Sequence, residues 1–368
     1  MPHPPESTTL SAVTGAEITA RRLSAQLVAT HAPVSPADVV RRLCAVQAQD
    51  YLASLWAVGL RTPDATEAEV EAAIARKELL RTWPMRGTLH LLAVEDARWM
   101  TELLAPRILQ RMARRHAELG VDTAALRLSE QVLGDALSGS RTMTRAAATA
   151  LLADAGIPAD ERRNHILGSL SMRGVLCLAA RQGRQQTVAL LDDWAPPAPP
   201  VPQDEALARL ALRYFTGHGP ATLQDLMWWS GLPAGMLKPA IASVARELVE
   251  TVVDGVSHWS APGVEAGLPG VHLLPNFDEY LVGYRDRSAA ASKESMGHVN
   301  PGANGIFHAV VVIDGAVRGT WRRTFEKGRV VVSATAIDAF TERQRRGIAR
   351  AGARYGSFHG MPVELTFD

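Results

Sequence analysis

The stretch Gln47-Ala48-Gln49-Asp50 concentrates hydrogen-bonding side chains within an otherwise apolar part of the chain. Glutamine binds water and offers a carbonyl dipole, but it does not usefully accept a proton near neutral pH. Asp50, directly after the second glutamine, is a candidate base or orienting group. These residue types indicate a site that places a water molecule next to a reacting group.

A second polar patch occupies residues 81–90 (RTWPMRGTLH), where the alternation of side chains is typical of a strand. One strand face would carry Thr82, Pro84, Arg86, Thr88 and His90, and the opposite, core face Trp83, Met85, Leu89 and Leu91. Arg86 and His90 could contact a phosphate or an extruded base, although a single histidine in a strand is more often structural. We expect the two patches to meet and form the working site.

The spacing of Gln47 and Gln49 conflicts with a continuous helix, because helix residues two apart differ by about 200° and do not face one substrate. On such a helix Gln47 and Asp50 would share a face instead. The apolar residues also change phase here, from Val39, Val40, Leu43 and Val46 to Leu52, Leu55, Trp56 and Val58. We therefore predict that the helix starting at Ser35-Pro36 breaks near residues 47–50; without that break, the functional pair would be Gln47 and Asp50.

The composition is that of an ordinary soluble globular protein, with 47% hydrophobic and 21% charged residues in 368, enough for about two to four domains. Cys44 and Cys177 are the only cysteines, which excludes a disulfide framework and a cysteine-ligated zinc site. No P-loop, dinucleotide fingerprint or histidine-rich spacing is present, so we expect neither cofactor nor metal. Because no membrane span or export signal is visible, we expect a cytoplasmic, nucleoid-associated protein.

The distribution of charge says more than the net charge of +1. All but four of the 39 basic residues are arginine, which suits phosphate recognition but would also follow from a high-GC genome. Acidic residues gather at 64–71, 192–205 and 247–254, whereas arginines cluster at 111–115, 162–163, 181–184, 322–323 and 343–354. This separation predicts one basic face. In the last cluster, Arg343, Arg346, Arg350 and Arg354 share a helix face that either is merely solvated or follows phosphates.

The predicted elements recur in the same order along the chain, which indicates tandem winged helix-turn-helix units. After a loose tail at 1–15, we predict units at 16–128 (with Gln47-Ala48-Gln49 and a wing at 80–92), 129–194 and 195–262. Met85-Arg86-Gly87 and Met172-Arg173-Gly174 are near copies that support the repeat. A β-rich part at 263–368 would contain a hairpin at 306–324, turning at Asp314-Gly315, and a basic helix at 341–355. The fold class is mainly α with β-hairpins (α+β).

Four motifs in this order resemble the AlkZ/YcaQ-like winged-helix DNA glycosylases. They are Gln47-Ala48-Gln49, Arg86-Gly87-Thr88-Leu89-His90, residues 273–284 (LLPNFDEYLVGY), and the hairpin region that ends in Gly319-Thr320-Trp321-Arg322-Arg323. The resemblance implies three tandem winged helices around a concave DNA-binding cleft and excision of alkylated purines. In the branch with glutamine at both motif positions it also implies unhooking of interstrand crosslinks and self-resistance to a DNA-alkylating natural product. The YcaQ-like branch has aspartate at the second position, so this chain, with Gln49, resembles the AlkZ-like branch.

Two amides in place of a catalytic carboxylate favour a cationic lesion, because an N7- or N3-alkylpurine leaves without acid help. Lys77, the only lysine near the site, lies in an acidic helix, so a Schiff-base step is not expected and the enzyme would be a monofunctional glycosylase. Phe277-Asp278-Glu279-Tyr280 is interpreted as packing, with Asp278 in a structural hydrogen bond. The predicted catalytic residues are Gln47, Gln49 and Asp50. The predicted DNA contacts are Arg86, His90, Trp83, Arg184, His308, Arg318, Trp321, Arg322 and Arg323.

The expected partner is double-stranded DNA carrying alkylated or crosslinked purines, bound by a monomer. Two other classes of protein remain open at this point. A winged-helix regulator would read one DNA sequence without cutting it, although the polar density lies at Gln47 rather than in a recognition helix. A sequestering protein would bind a small toxin in the cleft without DNA.

Overall fold

The computed structural model describes residues 14–29, 34–158 and 160–368. Of the predicted tail at 1–15, only Thr14 and Gly15 lie within the described residues, where they are the N-cap and the first residue of α1. The fold mixes helices with antiparallel strand pairs along the whole described chain, as the sequence predicted.

The first region, residues 15–93, contains the predicted helices and wing. Its elements are α1 (Gly15–Ala25), α2 (Pro36–Leu43), β1 (Val46–Gln47), α3 (Tyr51–Gly59), α4 (Glu67–Ala75), β2 (Leu79–Met85) and β3 (Thr88–Ala93). Helix α2 begins as predicted, with Ser35 and Asp38 forming a capping box and Pro36 in the first turn. It ends at Leu43 because Cys44 has a φ of 64°, which a right-handed helix does not accommodate. The predicted break is confirmed, although α2 ends at Leu43, shortly before the predicted residues 47–50.

The second region, residues 123–190, repeats this order. Its elements are α6 (Thr123–Leu137), β4 (Met143–Thr144), α7 (Arg145–Asp154), α8 (Arg162–Met172), β5 (Leu176–Gln182) and β6 (Gln185–Leu190). A long helix that was not predicted, α5 (Val94–Leu119), connects the two regions, and the short α9 (Leu191–Trp194) follows β6. The predicted boundary at 128/129 falls within α6, and Gly120, with a φ of 65°, ends α5 before it.

The third region, residues 203–260, has α10 (Gln203–His218), α11 (Leu223–Ser230), α12 (Ala234–Val244), a 3₁₀ turn (Ala245–Glu247), β7 (Val249–Val253) and β8 (Val256–Ser260). Ala221 forms an isolated bridge with Trp259, at the place where the other two regions have a short strand. The two Met-Arg-Gly segments do not occupy equivalent positions in the first and second regions, so they are not part of the structural repeat. Arg86 and Gly87 form the turn between β2 and β3, whereas Arg173 and Gly174 join α8 to β5.

The C-terminal region, residues 271–367, is built on a five-stranded sheet. Its elements are β9 (Val271–Leu274), α13 (Glu279–Val282), α14 (Lys293–Val299), β10 (Val310–Ile313), β11 (Ala316–Glu326), β12 (Arg329–Ala336), α15 (Glu342–His359) and β13 (Val363–Phe367). The turn at Asp314 and Gly315 is confirmed, but the hairpin strands span 310–326 rather than 306–324. The predicted basic helix is α15, and β13, which pairs with β12 in parallel, was not predicted.

Sheet pairing and core packing bring distant segments together. The strands of the first two regions form one sheet in the order β1-β3-β2-β5-β6-β4, joined where Arg81 faces Leu178. The largest hydrophobic cluster combines the first, third and C-terminal regions, including Leu43, Trp229 and Tyr280. Side chains from residues 121–190 form most of a separate cluster. The segment after α2 meets α13 directly, where Gln47 contacts Glu279.

Candidate active site

Gln47 is the centre of a hydrogen-bonded group that joins the two predicted patches. Strand β1 pairs with β3, so that Gln47 lies opposite His90. The Gln47 side chain, 9% exposed, accepts a hydrogen bond through Oε1 from Nη2 of Arg86 at 3.2 Å. Its backbone N–H donates to Oε1 of Glu279 at 2.9 Å. The expected meeting of the two patches is confirmed.

Gln49 lies two residues further along the extended segment and is exposed. Its Oε1 accepts a hydrogen bond from the backbone N–H of Leu89 at 3.1 Å, and Ala48 N–H donates to the Leu89 carbonyl at 2.7 Å. Both glutamines are thus attached to the wing through their oxygens. Within the described residues, neither side-chain nitrogen donates to another protein group. The pair can therefore offer amide N–H groups to a water molecule or a substrate.

The turn of the wing aims Arg86 back toward Gln47. Arg86 and Gly87 have positive φ values of 54° and 75°, the conformation of a two-residue hairpin turn. Besides Gln47, the Arg86 guanidinium reaches Nε2 of His90 at 3.2 Å and the Val282 carbonyl at 3.5 Å. Burial lowers the pKa of Arg86, yet an arginine remains a cation at neutral pH. Arg86 therefore places a positive charge beside Gln47.

His90 is fully buried, which corrects its assignment as a DNA contact. Burial, together with the charge of Arg86, lowers the pKa of His90 to about 3. The ring is therefore neutral near pH 7, and its Nδ1–H donates to the Thr88 carbonyl at 2.9 Å. Nε2 is then the acceptor for the Arg86 guanidinium. His90 is therefore a neutral residue that holds the Arg86 side chain by a hydrogen bond.

Asp50 has structural partners that compete with a role as base. Its side chain caps α3 by accepting a hydrogen bond from Ala53 N–H at 3.0 Å. Its two carboxylate oxygens also lie 3.0 and 2.9 Å from Nη2 of Arg323. Because Gln47 and Gln49 are not in a helix, the alternative pairing of Gln47 with Asp50 loses its premise. Asp50 instead ties the first region to β11.

A cavity of about 420 Å³ opens beside this ion pair. It is lined by Asp50, Asn276, His308, Ala309, Thr320, Trp321, Arg322 and Arg323. His308 and Arg322 are exposed there, as DNA contacts would be. Trp321 is only 2% exposed and donates from Nε1 to the Leu274 carbonyl at 2.8 Å. Its assignment as a DNA contact is corrected, because the indole belongs to the core.

The remaining predicted DNA contacts are not brought to Gln47. Trp83 is half-buried between the second hydrophobic cluster and a small cluster around Ile108, so packing explains this side chain. Arg184 is exposed at the turn between β5 and β6. Arg318 is exposed as well, but it lines a separate cavity of about 250 Å³.

The arginine face of α15 is divided between two roles. Arg343, Arg346 and Arg350 are exposed. Arg354 donates to the Leu60 carbonyl at 2.7 Å and so anchors the helix on the end of α3. Arg354 is exposed as well, but its guanidinium is held by this bond, whereas the first three arginines of the predicted stripe point to solvent.

Glu279 was missed as a member of the site. The sequence indicates that residues 277–280 are structural. This is true of Asp278, because its carboxylate accepts two hydrogen bonds from Arg61 at 2.7 and 2.8 Å. Burial raises the pKa of Glu279, but the hydrogen bond from His218 and the charge of Arg86 outweigh it and lower the pKa to about 2. The available signal was a glutamate within an apolar, aromatic stretch, since buried carboxylates need partners.

A cleft on the other side of Arg86 also escaped prediction. It has a volume of about 510 Å³ and is lined by Arg86, Gly87, Ile108, Arg111, Met112, Met227, Trp228 and Gly231. Trp228 is 46% exposed and donates from Nε1 to the Val282 carbonyl at 3.3 Å, the same oxygen that Arg86 approaches. An exposed indole and two guanidiniums suit a base and a phosphate.

Among residues 14–29, 34–158 and 160–368, no group of three or more His, Cys, Asp or Glu side chains could hold a metal ion. Over the same ranges, no helix combines the length and apolar character that a membrane span requires.

The chain is similar to known proteins over most of its length. Residues 40–358 match the family described as DNA glycosylase AlkZ-like. The interstrand DNA cross-link repair glycosylase of Streptomyces sahachiroi is 30% identical over 325 residues, which cover 83% of this chain and 86% of that protein. The solved structure of Streptomyces sahachiroi DNA glycosylase AlkZ matches with a TM-score of 0.79 and 26% identity, covering 97% of this chain and 100% of that one. This chain therefore belongs to the AlkZ-like DNA glycosylase family.

Proposed function

We propose that this protein hydrolyses the N-glycosidic bond of cationic alkylated purines, of the N7-alkylguanine type, in double-stranded DNA. Membership of the AlkZ-like family supports the reaction class. The observation that carries the substrate choice is that two neutral amides stand where a general base would be expected, while the nearest carboxylates are engaged by Arg323 or buried behind Gln47. Gln47 and Gln49 are the proposed catalytic residues.

The chemistry balances without acid or base assistance from the protein. When the C1′–N9 bond of an N7-alkylguanine breaks, its electron pair neutralises the charge of the purine, so the base leaves as a neutral molecule. The sugar becomes an oxocarbenium-like cation, which a water oxygen attacks at C1′. The surplus proton of that water passes to solvent. The amides need only hold the water through their N–H groups and face the positive charge with the second lone pair of a carbonyl oxygen, since each oxygen accepts one hydrogen bond from the wing.

A monofunctional reaction is supported by the position of Lys77, the lysine nearest in sequence to the two polar patches. Nζ of Lys77 donates to the Asp193 carbonyl at 2.7 Å and lies 5.5 Å from the centre of the Trp194 ring. A Schiff base with the sugar would require this amine to leave both partners. We therefore propose that the product is an intact abasic strand.

The relative from Streptomyces sahachiroi is named for interstrand cross-link repair, and we propose the same substrate class and a role in self-resistance for this chain. The repeated order of helices and strand pairs supports three winged-helix units. We propose that the protein binds damaged DNA as a monomer and is associated with the nucleoid. The proposed DNA contacts are His308 and Arg322 in the cavity beside Asp50, the exposed Arg343 of α15, and the Trp228 cleft that Arg86 also lines.

The proposal is tested by incubating the protein with methylated duplex DNA and separating the released bases by chromatography. Wild type is expected to release 7-methylguanine and leave the strand uncut, whereas Gln47→Ala and Gln49→Ala lose release. Gln131→Ala, at an exposed position of α6, is the matched control and keeps it. A duplex crosslinked through two guanine N7 atoms, followed on a denaturing gel, tests unhooking.

The outcomes separate the three classes of protein. A regulator would release no base and would keep binding one DNA sequence after both glutamine substitutions. A sequestering protein would bind an alkylating compound in the absence of DNA. Strand cleavage by the pure protein would contradict a monofunctional reaction.

A further inference from the structure

The Glu279 carboxylate lies directly behind Gln47 and is held by groups from the first and the third regions. Oε1 accepts the Gln47 backbone N–H at 2.9 Å. Oε2 accepts Nε1–H of Trp229, on α11, at 3.0 Å, and lies 3.4 Å from Nε2 of His218, at the end of α10. The His218 ring is itself fixed by stacking on Tyr214, with ring centres 4.7 Å apart.

Burying the Glu279 carboxylate costs free energy. The Glu279 residue is 1% exposed, and a buried carboxylate is tolerated only when hydrogen bonds and opposite charge compensate its lost hydration. The core could have been closed with an apolar side chain, as it is at the following residues Tyr280, Leu281 and Val282. Of these three contacts of Glu279, the hydrogen bond from the Gln47 backbone involves a proposed catalytic residue.

We propose that Glu279 is a positioning residue for base excision, which fixes the Gln47 backbone so that its amide addresses the reacting sugar. The proposal rests on the proposed function and adds to it a residue that touches neither water nor DNA. Strand β1 consists of only two residues, Val46 and Gln47, and strand pairing holds them from one side. Glu279 holds them from the other side.

The negative charge of Glu279 has a second effect on the site. Arg86 lies against the Gln47 side chain, and an unbalanced cation there would oppose both a cationic base and an oxocarbenium-like sugar. Because Glu279 contacts the same residue from behind, its charge offsets that of Arg86. The carboxylate thereby allows Arg86 to orient Gln47 without repelling the substrate.

The test is Glu279→Gln, measured by single-turnover release of 7-methylguanine and by DNA affinity. A carboxamide offers one acceptor oxygen and one NH₂ donor. Two donors face Oε2 and one faces Oε1, so the amide oxygen is expected to turn toward Trp229 and His218. The NH₂ group then faces Gln47 N–H, which loses its partner. We expect the rate constant at saturating enzyme to fall by about tenfold to a hundredfold, as for a misplaced catalytic group, with an unchanged Kd for undamaged duplex.

The adjacent Asp278→Asn is the matched control, because it makes the same chemical change in an equally buried carboxylate that binds Arg61 instead of Gln47. It is expected to lower the unfolding temperature while keeping the excision rate of the folded protein within about twofold. Glu279→Asp provides a second variant should Glu279→Gln not fold. It keeps the charge but withdraws the carboxylate by one methylene, and we expect its excision rate to fall as well.

Three results overturn the inference. One is a folded Glu279→Gln or Glu279→Asp protein that excises at the wild-type rate. Another is an equal loss of rate in Asp278→Asn, which would make the effect one of general destabilisation. If wild type itself releases no alkylated base, the proposed function fails and the inference fails with it, whereas an active wild type with active Glu279 variants removes the inference alone.

Discussion

His90 connects the geometry of the site to a measurable dependence of stability on pH. The ring is fully buried, hydrogen-bonded to the Thr88 carbonyl and to Arg86. Its pKa is lowered from the ordinary 6.5 to about 3 in the folded protein. As the pH falls below 6.5, the unfolded chain binds a proton that the folded chain refuses, so acid favours unfolding.

The size of this effect follows from the two pKa values. At pH 7.5 His90 is neutral in both states and contributes nothing to the pH dependence. At pH 5 the unfolded state gains about 2 kcal/mol from protonation of this ring, and below pH 3 the gain reaches its limit of about 5 kcal/mol. His90→Gln does not titrate, yet it keeps an acceptor for Arg86 and a donor for the Thr88 carbonyl.

Urea unfolding of wild type and His90→Gln at pH 7.5 and pH 5 measures the difference. On going from pH 7.5 to pH 5, we expect wild type to lose about 2 kcal/mol more of its unfolding free energy than His90→Gln loses. This difference does not depend on how much the substitution costs at pH 7.5. Gln131→Ala, at an exposed position of α6, removes no titrating group and is the control, which should show no such difference. Equal losses of stability in wild type and His90→Gln on acidification would refute the buried, neutral state of His90.

Three further substitutions test other parts of the site. Asp50→Asn is expected to keep most of the excision rate because Asp50 caps α3 and binds Arg323; a loss above about a hundredfold, typical of a removed general base, would return Asp50 to catalysis. Arg61→Met is expected to lower the unfolding free energy by about 3 to 5 kcal/mol in urea titrations, since it leaves the Asp278 carboxylate buried without its partner, and a change near zero would contradict this. Trp228→Ala is expected to weaken binding to damaged duplex by about 1 to 3 kcal/mol, the size of one stacking contact, with little change in unfolding temperature; unchanged affinity in fluorescence anisotropy would exclude the cleft from the DNA interface.

Local signals in the sequence were sufficient for the elements that carry Gln47. The capping residues Ser35 and Pro36 mark the start of α2, and the change of apolar phase marks its end. The turn residues Asp314 and Gly315 likewise identify the hairpin of β10 and β11. Each of these signals depends on neighbouring residues, for which hydrogen-bonding and backbone preferences decide the conformation.

The contacts of the site depend on packing between regions, so they were harder to predict from the sequence. Glu279 meets Gln47 across 232 positions of the chain, and nothing near either residue specifies that contact. The burial of His90 and Trp321 follows from the same packing, because a polar or aromatic residue in an alternating strand does not reveal which face is covered. Helix α5 was missed although it runs over 26 residues.

The central claim is that two neutral amides suffice because the leaving base already carries a positive charge. The most direct test compares single-turnover excision of 7-methylguanine with that of 7-methyl-7-deazaguanine, placed at the same position of one duplex. The two bases have nearly the same shape, but only the first is cationic. We expect wild type to release 7-methylguanine, Gln47→Ala to lose this release, and neither protein to release the neutral analogue. Comparable release of both bases would contradict the claim.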